Sequence, residues 1–199
     1  HRESASIVGI TKFLPSYAGL WLEEEVEAVL RVRENPEHPF VVVMGGAKVE
    51  DKLPLLKLLA ERADTILVGG KLANELLAES IKLQGKAKVI LPLEGSDILD
   101  IGVETRRIFA TEITKAKTIV WNGPMGKVED ERYRAGTGAI YEAIVGNKEA
   151  YSLVGGGDTL AAVGRDEQVS EIDHVSTGGG AMLSLLEKGE LPGLRVLEL

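Results

Sequence analysis

Six short runs of apolar, β-prone residues punctuate the chain: Phe40–Met44, Thr65–Val68, Lys88–Leu91, Thr118–Trp121, Tyr151–Val154 and His174–Ser176. Several are near-continuous rather than alternating, the pattern of strands covered on both faces in a parallel sheet. Between them, apolar positions recur at helical spacing. Leu20–Glu34 sets Leu22, Val26, Val29 and Leu30 on one face and Glu23, Glu24 and Glu25 on the other. Leu53–Arg62 repeats Leu55, Leu56, Leu58 and Leu59 in the same way. Further helices are predicted over Leu72–Glu79, Val103–Thr114, Arg134–Val145, Thr159–Gly164 and Ala181–Lys188. Strands alternating with helices predict an α/β domain: a doubly wound, Rossmann-like sheet of about six mainly parallel strands with helices on both faces.

Composition sharpens this picture at one point. Glycine accounts for 23 of 199 residues, and twelve of them sit just after five of the six predicted strands. They are Gly45-Gly46, Gly69-Gly70, Gly123 and Gly126, Gly155-Gly156-Gly157, and Gly178-Gly179-Gly180. In an open parallel sheet these turns line the crevice at the carboxyl ends of the strands. Glycine lets backbone N–H groups approach a ligand, and the following helix presents its positive end. Five such turns on one edge point to an anionic, phosphorylated ligand.

Other features narrow the class. There are no cysteines, which removes disulfides, thiol nucleophiles and cysteine metal sites and suits a reducing compartment. The net charge of −8 argues against a broad nucleic-acid surface. No apolar run approaches the roughly 18 residues of a membrane helix. The chain opens on His1 with no charged-then-apolar leader and reads as a piece of something longer, of cytoplasmic location. The common phosphate motifs fail. None of the pairs Gly70-Lys71, Gly85-Lys86 and Gly126-Lys127 precedes the Ser or Thr of a GxxxxGK[ST] loop, and Gly155-Gly156-Gly157-Asp158-Thr159-Leu160 lacks the last small residue of GxGxxG. HExxH and GxSxG are absent.

The glycine turns carry polar residues suited to phosphate chemistry. Lys48 and Lys52, four apart, share a face if a helix begins near Val49, and two cations there can brace phosphate oxygens during transfer. Asp158 suits either a helix N-cap or a Mg²⁺ held by one carboxylate, phosphate oxygens and water. Thr159 offers a hydroxyl, and Asn122 an amide donor, to an oxygen. Glu129, by spacing alone, is an ordinary surface acid. Ser176-Thr177-Gly178-Gly179-Gly180 ahead of a helix forms a second backbone anion nest.

GGAKVEDK (45–52), VWNGPMG (120–126), GGGDT (155–159) and STGGGA (176–181), in this order, resemble the phosphoglycerate kinase family, in its C-terminal nucleotide-binding domain. His1–Gly9 resembles the stretch leading out of the family's N-terminal domain, Leu14–Gly19 the interdomain region, and Glu190–Gly193 the family's end. The resemblance implies reversible phosphoryl transfer between 1,3-bisphosphoglycerate and ADP, giving 3-phosphoglycerate and MgATP in glycolysis. It implies that Lys48 and Lys52 contact the nucleotide phosphates and the transferring group, which Gly178, Gly179 and Gly180 also meet with amides. Asp158 then serves Mg²⁺, and Thr159, Asn122, Gly46, Gly156 and Gly157 the phosphates. Pro124 and Glu129 fall to the ribose, and Gly69 and Gly70 flank the adenine. Arg2 matches an arginine that touches 3-phosphoglycerate.

The same resemblance divides the chain into an exit segment over residues 1–20, the nucleotide domain over 21–193, and a tail over 194–199 that returns to an N-terminal 3-phosphoglycerate-binding domain. Without that partner domain the chain is expected to bind MgADP or MgATP but not to turn over, with its apolar tail left exposed. Several departures accompany the match. The span from Gly70 to Trp121 is short by several tens of residues on the family pattern. It keeps Leu99-Asp100-Ile101-Gly102, with Val103 at a usual proline. Lys71 stands at a usual third glycine, Lys127 at a usual apolar position and Ser4 at a usual histidine. A nucleotide-binding or assembly module without turnover is the alternative reading. A nicotinamide-dependent oxidoreductase is a third, weakened by the failed fingerprint.

Overall fold

A computed structural model describes residues 1–47, 49–95, 97–163 and 170–197. Six strands form one sheet: β1 (Phe40–Met44), β2 (Thr65–Val68), β3 (Lys88–Ile90), β4 (Thr118–Asn122), β5 (Tyr151–Gly155) and β6 (His174–Ser176). Their order is β3-β2-β1-β4-β5-β6, and every neighbouring pair is parallel. The helices are α1 (Leu20–Glu34), α2 (Val49–Ala60), α3 (Gly70–Ala78), α4 (Val103–Ile113), α5 (Ala135–Gly146), α6 (Gly157–Val163), α7 (Gly179–Lys188) and the short α8 (Pro192–Arg195).

The alternation of side chains along each strand splits the core into two layers. Phe40, Val42 and Met44 of β1 pack with Val29 and Val32 of α1, Leu55 and Leu56 of α2, Leu72 and Leu76 of α3, and Leu185 and Leu186 of α7. Val41 and Val43 face the other way, toward Phe109 and Ile113 of α4, Ile140 and Ile144 of α5, and Val163 of α6. β1 and β4 are buried along their whole length, which is why their sequences run apolar without alternation.

The element ends differ from the sequence reading for identifiable reasons. β3 stops at Ile90, two residues ahead of Pro92, which has no N–H for a ladder. β4 and β5 each gain a residue because Asn122 and Gly155 pair with each other across the strands. α2 begins at Val49, not Leu53, with Pro54 inside it. Pro54 removes one helical hydrogen bond, and the turn before it is held by the burial of Val49 and Lys52. α6 and α7 begin two residues earlier than expected, on Gly157 and Gly179. Gly164, the expected last residue of α6, lies outside the described residues. Glu25, expected on the solvent face of α1, instead turns inward, 3.1 Å from His174 Nε2.

The N-terminal segment adds a π-helical turn over Ala5–Gly9 and a 3₁₀ turn over Ile10–Lys12. Exposed large apolar side chains cluster here and at the start of α1: Phe13, Tyr17, Leu20 and Trp21 are each at least 67% accessible. The expected exposure of the C-terminal tail is not seen as far as Leu197. Leu194, Val196 and Leu197 are half-buried, and Leu194 packs on the α1 side of the core.

At the amino edge of the sheet, Asp64 accepts the Phe40 N–H at 2.6 Å and lies 2.5 Å from His38 Nδ1. Burial pushes its carboxyl upward, but the Phe40 amide, His38 and Lys86 outweigh that and hold it below its ordinary value of 3.8. A depressed carboxylate stabilises the fold fully above the unfolded value and loses that contribution as pH falls through the folded one. Asp64→Asn, which keeps an acceptor for Phe40, is therefore expected to lower stability to urea at pH 7. The two proteins should converge well below pH 3.8. A gap independent of pH would show that the charge contributes nothing.

Candidate functional site

The sheet reverses its winding between β1 and β4, because β2 and β3 extend to one side of β1 and β4 to β6 to the other. A crevice opens at such a switch point, at the carboxyl ends of the strands. The turns around it are stitched to one another. The Gly45 N–H donates to Asn122 O (2.9 Å), Gly46 to Pro124 O (2.7 Å), Gly69 to Met44 O (2.9 Å) and Gly70 to Met125 O (3.0 Å). Two of the glycines are required by this geometry. Gly70 sits at φ +59° and a Cβ there would lie 2.7 Å from Gly46 N. Gly156 sits at φ +111°, where a Cβ would meet Thr159 Oγ1 at 3.0 Å and Asn122 Nδ2 at 3.1 Å.

Two adjoining cavities occupy the crevice. The larger, about 550 Å³, brings together Arg2, Gly46, Lys52, Asn122, Pro124, Gly156, Gly157, Asp158, Thr159, Gly179 and Gly180. The smaller, about 300 Å³, is lined by Gly70, Lys71, Leu99, Lys127 and Glu129 and shares Gly46, Pro124 and Asp158 with the first. Lys48 lies outside the described residues. Two expected residues line neither cavity. Gly69 is buried against Met125, where a Cβ would lie 2.6 Å from Sδ. Gly178 donates its N–H to Ser176 Oγ at 3.3 Å, so that amide is already engaged.

The polar side chains of the larger cavity are held in place by the turns. Lys52 is 8% accessible and its Nζ donates to Gly45 O at 2.6 Å, on the crevice floor. Asn122 Nδ2 donates to Gly155 O at 2.8 Å, leaving its second N–H for a ligand. Thr159 is fully buried and its Oγ1 accepts the Gly123 N–H at 2.8 Å, which leaves the hydroxyl proton to donate. Trp121 Nε1 donates to Gly123 O at 3.0 Å, so one turn is pinned from strand and helix alike. Asp158 is exposed in the first turn of α6, at the junction of the two cavities. The amides that begin α7 at Gly179 and Gly180 have no partner within their helix.

Some lining residues were not foreseen. Ser184 and Lys188 line the larger cavity because Gly180, Ser184 and Lys188 lie four apart on one face of α7. That spacing is visible in the sequence once the helix is known to start at Gly179. His1, Asp51 and Glu187 also reach this wall. Asn74, one turn after Gly70, clasps the Ile98 backbone: Nδ2 donates to Ile98 O at 2.9 Å and Oδ1 accepts the Ile98 N–H at 3.3 Å. Asp100 accepts the N–H of Gly136 at 2.8 Å and of Ile101 at 2.9 Å. Burial still holds its carboxyl above the ordinary value. It joins the 99–102 turn to the start of α5 and so carries the wall of the smaller cavity.

Among the described residues no cluster of three or more His, Cys, Asp or Glu side chains could cage a metal. Among the described residues no helix is long and apolar enough to cross a membrane. What the crevice can do chemically is hold an extended polyanion. Lys52, Lys188 and Arg2 supply cations along the larger cavity, and amides and hydroxyl donors stand between them.

The family model for phosphoglycerate kinase matches residues 1–90 and 79–189, two segments that meet just ahead of and within β3. The phosphoglycerate kinases of Thermus thermophilus and Rhodococcus jostii are 38% and 39% identical to the whole of this chain, which spans 62% and 60% of their length. The Thermus match extends over 243 residues against the 199 here, so that relative carries over forty positions that this chain lacks. Among solved structures, phosphoglycerate kinase from Coxiella burnetii superposes with a TM-score of 0.85 at 34% identity, covering 98% of this chain and 62% of that one. The enzyme from Pyrococcus horikoshii gives 0.83 at 33%, covering 99% and 61%. With both segments of the family model matched and a common architecture throughout, this chain belongs to the phosphoglycerate kinase family.

Proposed function

We propose that this chain is the nucleotide-binding half of a cytoplasmic phosphoglycerate kinase. The reaction is reversible phosphoryl transfer between 1,3-bisphosphoglycerate and a nucleoside diphosphate, ADP on the family pattern. The observation that carries the reading is the convergence of Lys52, Asn122, Gly156, Gly157, Asp158, Thr159, Gly179 and Gly180 on one crevice at the switch point. The nucleotide lies with its phosphates in the larger cavity and its base in the smaller, and Glu129 takes the ribose between them. Arg2, on the rim of the larger cavity, faces the acyl phosphate brought by an N-terminal substrate domain.

The chemistry asks little of proton transfer. One nucleophile is a carboxylate and the other a phosphate oxygen, both already anionic, so no general base is needed. Catalysis is positioning and charge stabilisation. Lys52, fixed over the Gly45 carbonyl, meets the transferring group, and the Gly179 and Gly180 amides receive its oxygens. Asn122 and Thr159 retain one donor each for the nucleotide phosphates. The donor set fits Mg²⁺: Asp158 is an exposed carboxylate at the junction of the two cavities, as suits an ion that takes one or two carboxylates and leaves its other positions to phosphate and water. When bound, Mg²⁺ supplies neutralisation of phosphate charge.

Calorimetric titration of the chain with MgADP and MgGDP, and NADH for comparison, tests the reading. Micromolar-to-submillimolar binding of a magnesium nucleoside diphosphate, without NADH binding, is expected. Binding of NADH alone would place the chain with nicotinamide enzymes instead. The shortfall against the relatives favours a second reading, a nucleotide-binding or assembly module without turnover. Supplying a 3-phosphoglycerate-binding domain and assaying transfer separates the two.

A further inference from the structure

The stretch between the end of α3 at Ala78 and the start of α4 at Val103 holds, among the described residues, one regular element, the three-residue β3. Ile98 and Leu99, late in that stretch, line the smaller cavity. They lie outside any ladder or helix, so their place depends on what else takes up their backbone groups. Two ties run to elements that follow β4. The Lys127 N–H donates to Leu99 O at 2.8 Å, and Asp100 accepts the Gly136 N–H of α5 at 2.8 Å. Asn74 ties the turn to the other half of the sheet. It lies on α3, which follows β2, and its Nδ2 donates to Ile98 O at 2.9 Å while its Oδ1 accepts the Ile98 N–H at 3.3 Å.

One side-chain amide thus satisfies both backbone groups of Ile98, as the opposite residue of an antiparallel strand would. Asn74 and Gly70 stand one turn apart on α3, and both line the cavity together with Ile98 and Leu99. The amide therefore joins the helix on one side of the cavity to the turn on another, and its reach sets the gap between them. Leu99 is 49% accessible, so its apolar side chain is held at the cavity without being packed away from a ligand. Asn74 lines the smaller cavity and not the larger, so it stands apart from the phosphate-side residues.

We infer that Asn74 is a positioning residue for nucleotide binding. It holds Ile98 and Leu99 at a fixed spacing from α3, so the turn is ordered before a ligand arrives and binding need not order it. This inference rests on the crevice being a nucleotide site and concerns how its base end is held, not which base it takes.

Titration of the full chain and of Asn74→Ala with MgADP and with magnesium pyrophosphate tests it, because pyrophosphate has no base. The variant is expected to bind MgADP about tenfold more weakly, the scale of one or two net hydrogen bonds, with pyrophosphate affinity unchanged. Amide hydrogen exchange gives a readout independent of pyrophosphate. The Ile98 N–H should be protected in the free chain, unprotected in the free variant, and protected again when MgADP saturates the variant. Asp64→Asn, at the amino edge of the sheet, is the control for a general loss of stability and should leave the ratio of the two affinities unaltered. If Asn74→Ala does not fold, Asn74→Asp, which keeps an acceptor for the Ile98 N–H and loses the donor to its carbonyl, should shift that ratio in the same direction. Equal losses for both ligands, full MgADP affinity, or unchanged Ile98 exchange in the free alanine variant overturns the positioning role and leaves the nucleotide reading standing. Failure of the unaltered chain to bind MgADP overturns both.

Discussion

Removing Lys52 or Asp158 is expected to lower affinity for a magnesium nucleoside diphosphate by about ten- to a hundredfold. Hydrogen bonds to charged groups contribute about 1.5–3 kcal/mol, and each 1.4 kcal/mol is a factor of ten in affinity. Lys52 is the harder residue to interpret alone. Its Nζ also holds Gly45 O, so Lys52→Ala leaves a turn carbonyl without that donor and costs some stability. Asp158 is exposed, so its loss reads on binding with little effect on the fold. Glu129→Ala should cost only about threefold, since a ribose hydroxyl pair is neutral and the carboxylate is solvated. Calorimetry on the three variants decides the matter. Unchanged affinity in both Lys52→Ala and Asp158→Ala would move the nucleotide out of the larger cavity.

Trp121→Ala should be the most damaging single change to the fold, about 3–5 kcal/mol by urea denaturation. Its side chain is fully buried among Val43, Ile119 and Met125, on the α4–α5 side of the sheet. That loss is a large fraction of the 5–15 kcal/mol typical of a whole domain, so the alanine variant can fail to fold. Trp121→Phe keeps most of the apolar volume but takes away the N–H that holds Gly123 O. It should leave a cooperative fold, destabilised by about 1–3 kcal/mol through the unpaired carbonyl. Nucleotide affinity should fall with it, because the Gly123-Pro124 turn floors both cavities. A phenylalanine variant with full stability and full affinity would show the indole N–H to be incidental.

Much of this architecture is legible in the residues. The uninterrupted apolar runs at Phe40–Met44 and Thr118–Trp121 mark central strands, and the glycines behind them mark the crevice edge. What the sequence conceals depends on partners distant along the chain. Asn122 joins β4 because Gly155 lies beside it, and Glu25 turns inward because His174 awaits it. Val49 and Lys52 hold a helical turn ahead of Pro54 through burial, a tertiary effect that the leucine spacing over Leu53–Arg62 does not show. The family motifs grouped most of the residues that line the crevice. They did not show the internal commitments of those residues: nothing in the order Asn122, Gly123, Thr159 announces that Thr159 accepts the Gly123 amide. Asn74 carried no motif at all, and only its position one turn after Gly70 hinted at the crevice.

The seam between β1 and β4 also governs how the chain reaches this state. Residues 40–44 must find residues 118–122, while β2, β3 and α2 to α4 occupy the intervening sequence. Closing so long a loop carries an entropic penalty before any contact rewards it, so parallel pairings of this separation form slowly. The crevice lies on that same seam, and its floor, Gly45 on Asn122 and Gly46 on Pro124, cannot exist until the two halves of the sheet have met. Ligand competence is thus among the last properties a refolding molecule acquires. A bound polyanion that spans the seam would slow unfolding by holding closed the junction whose formation limits the way in.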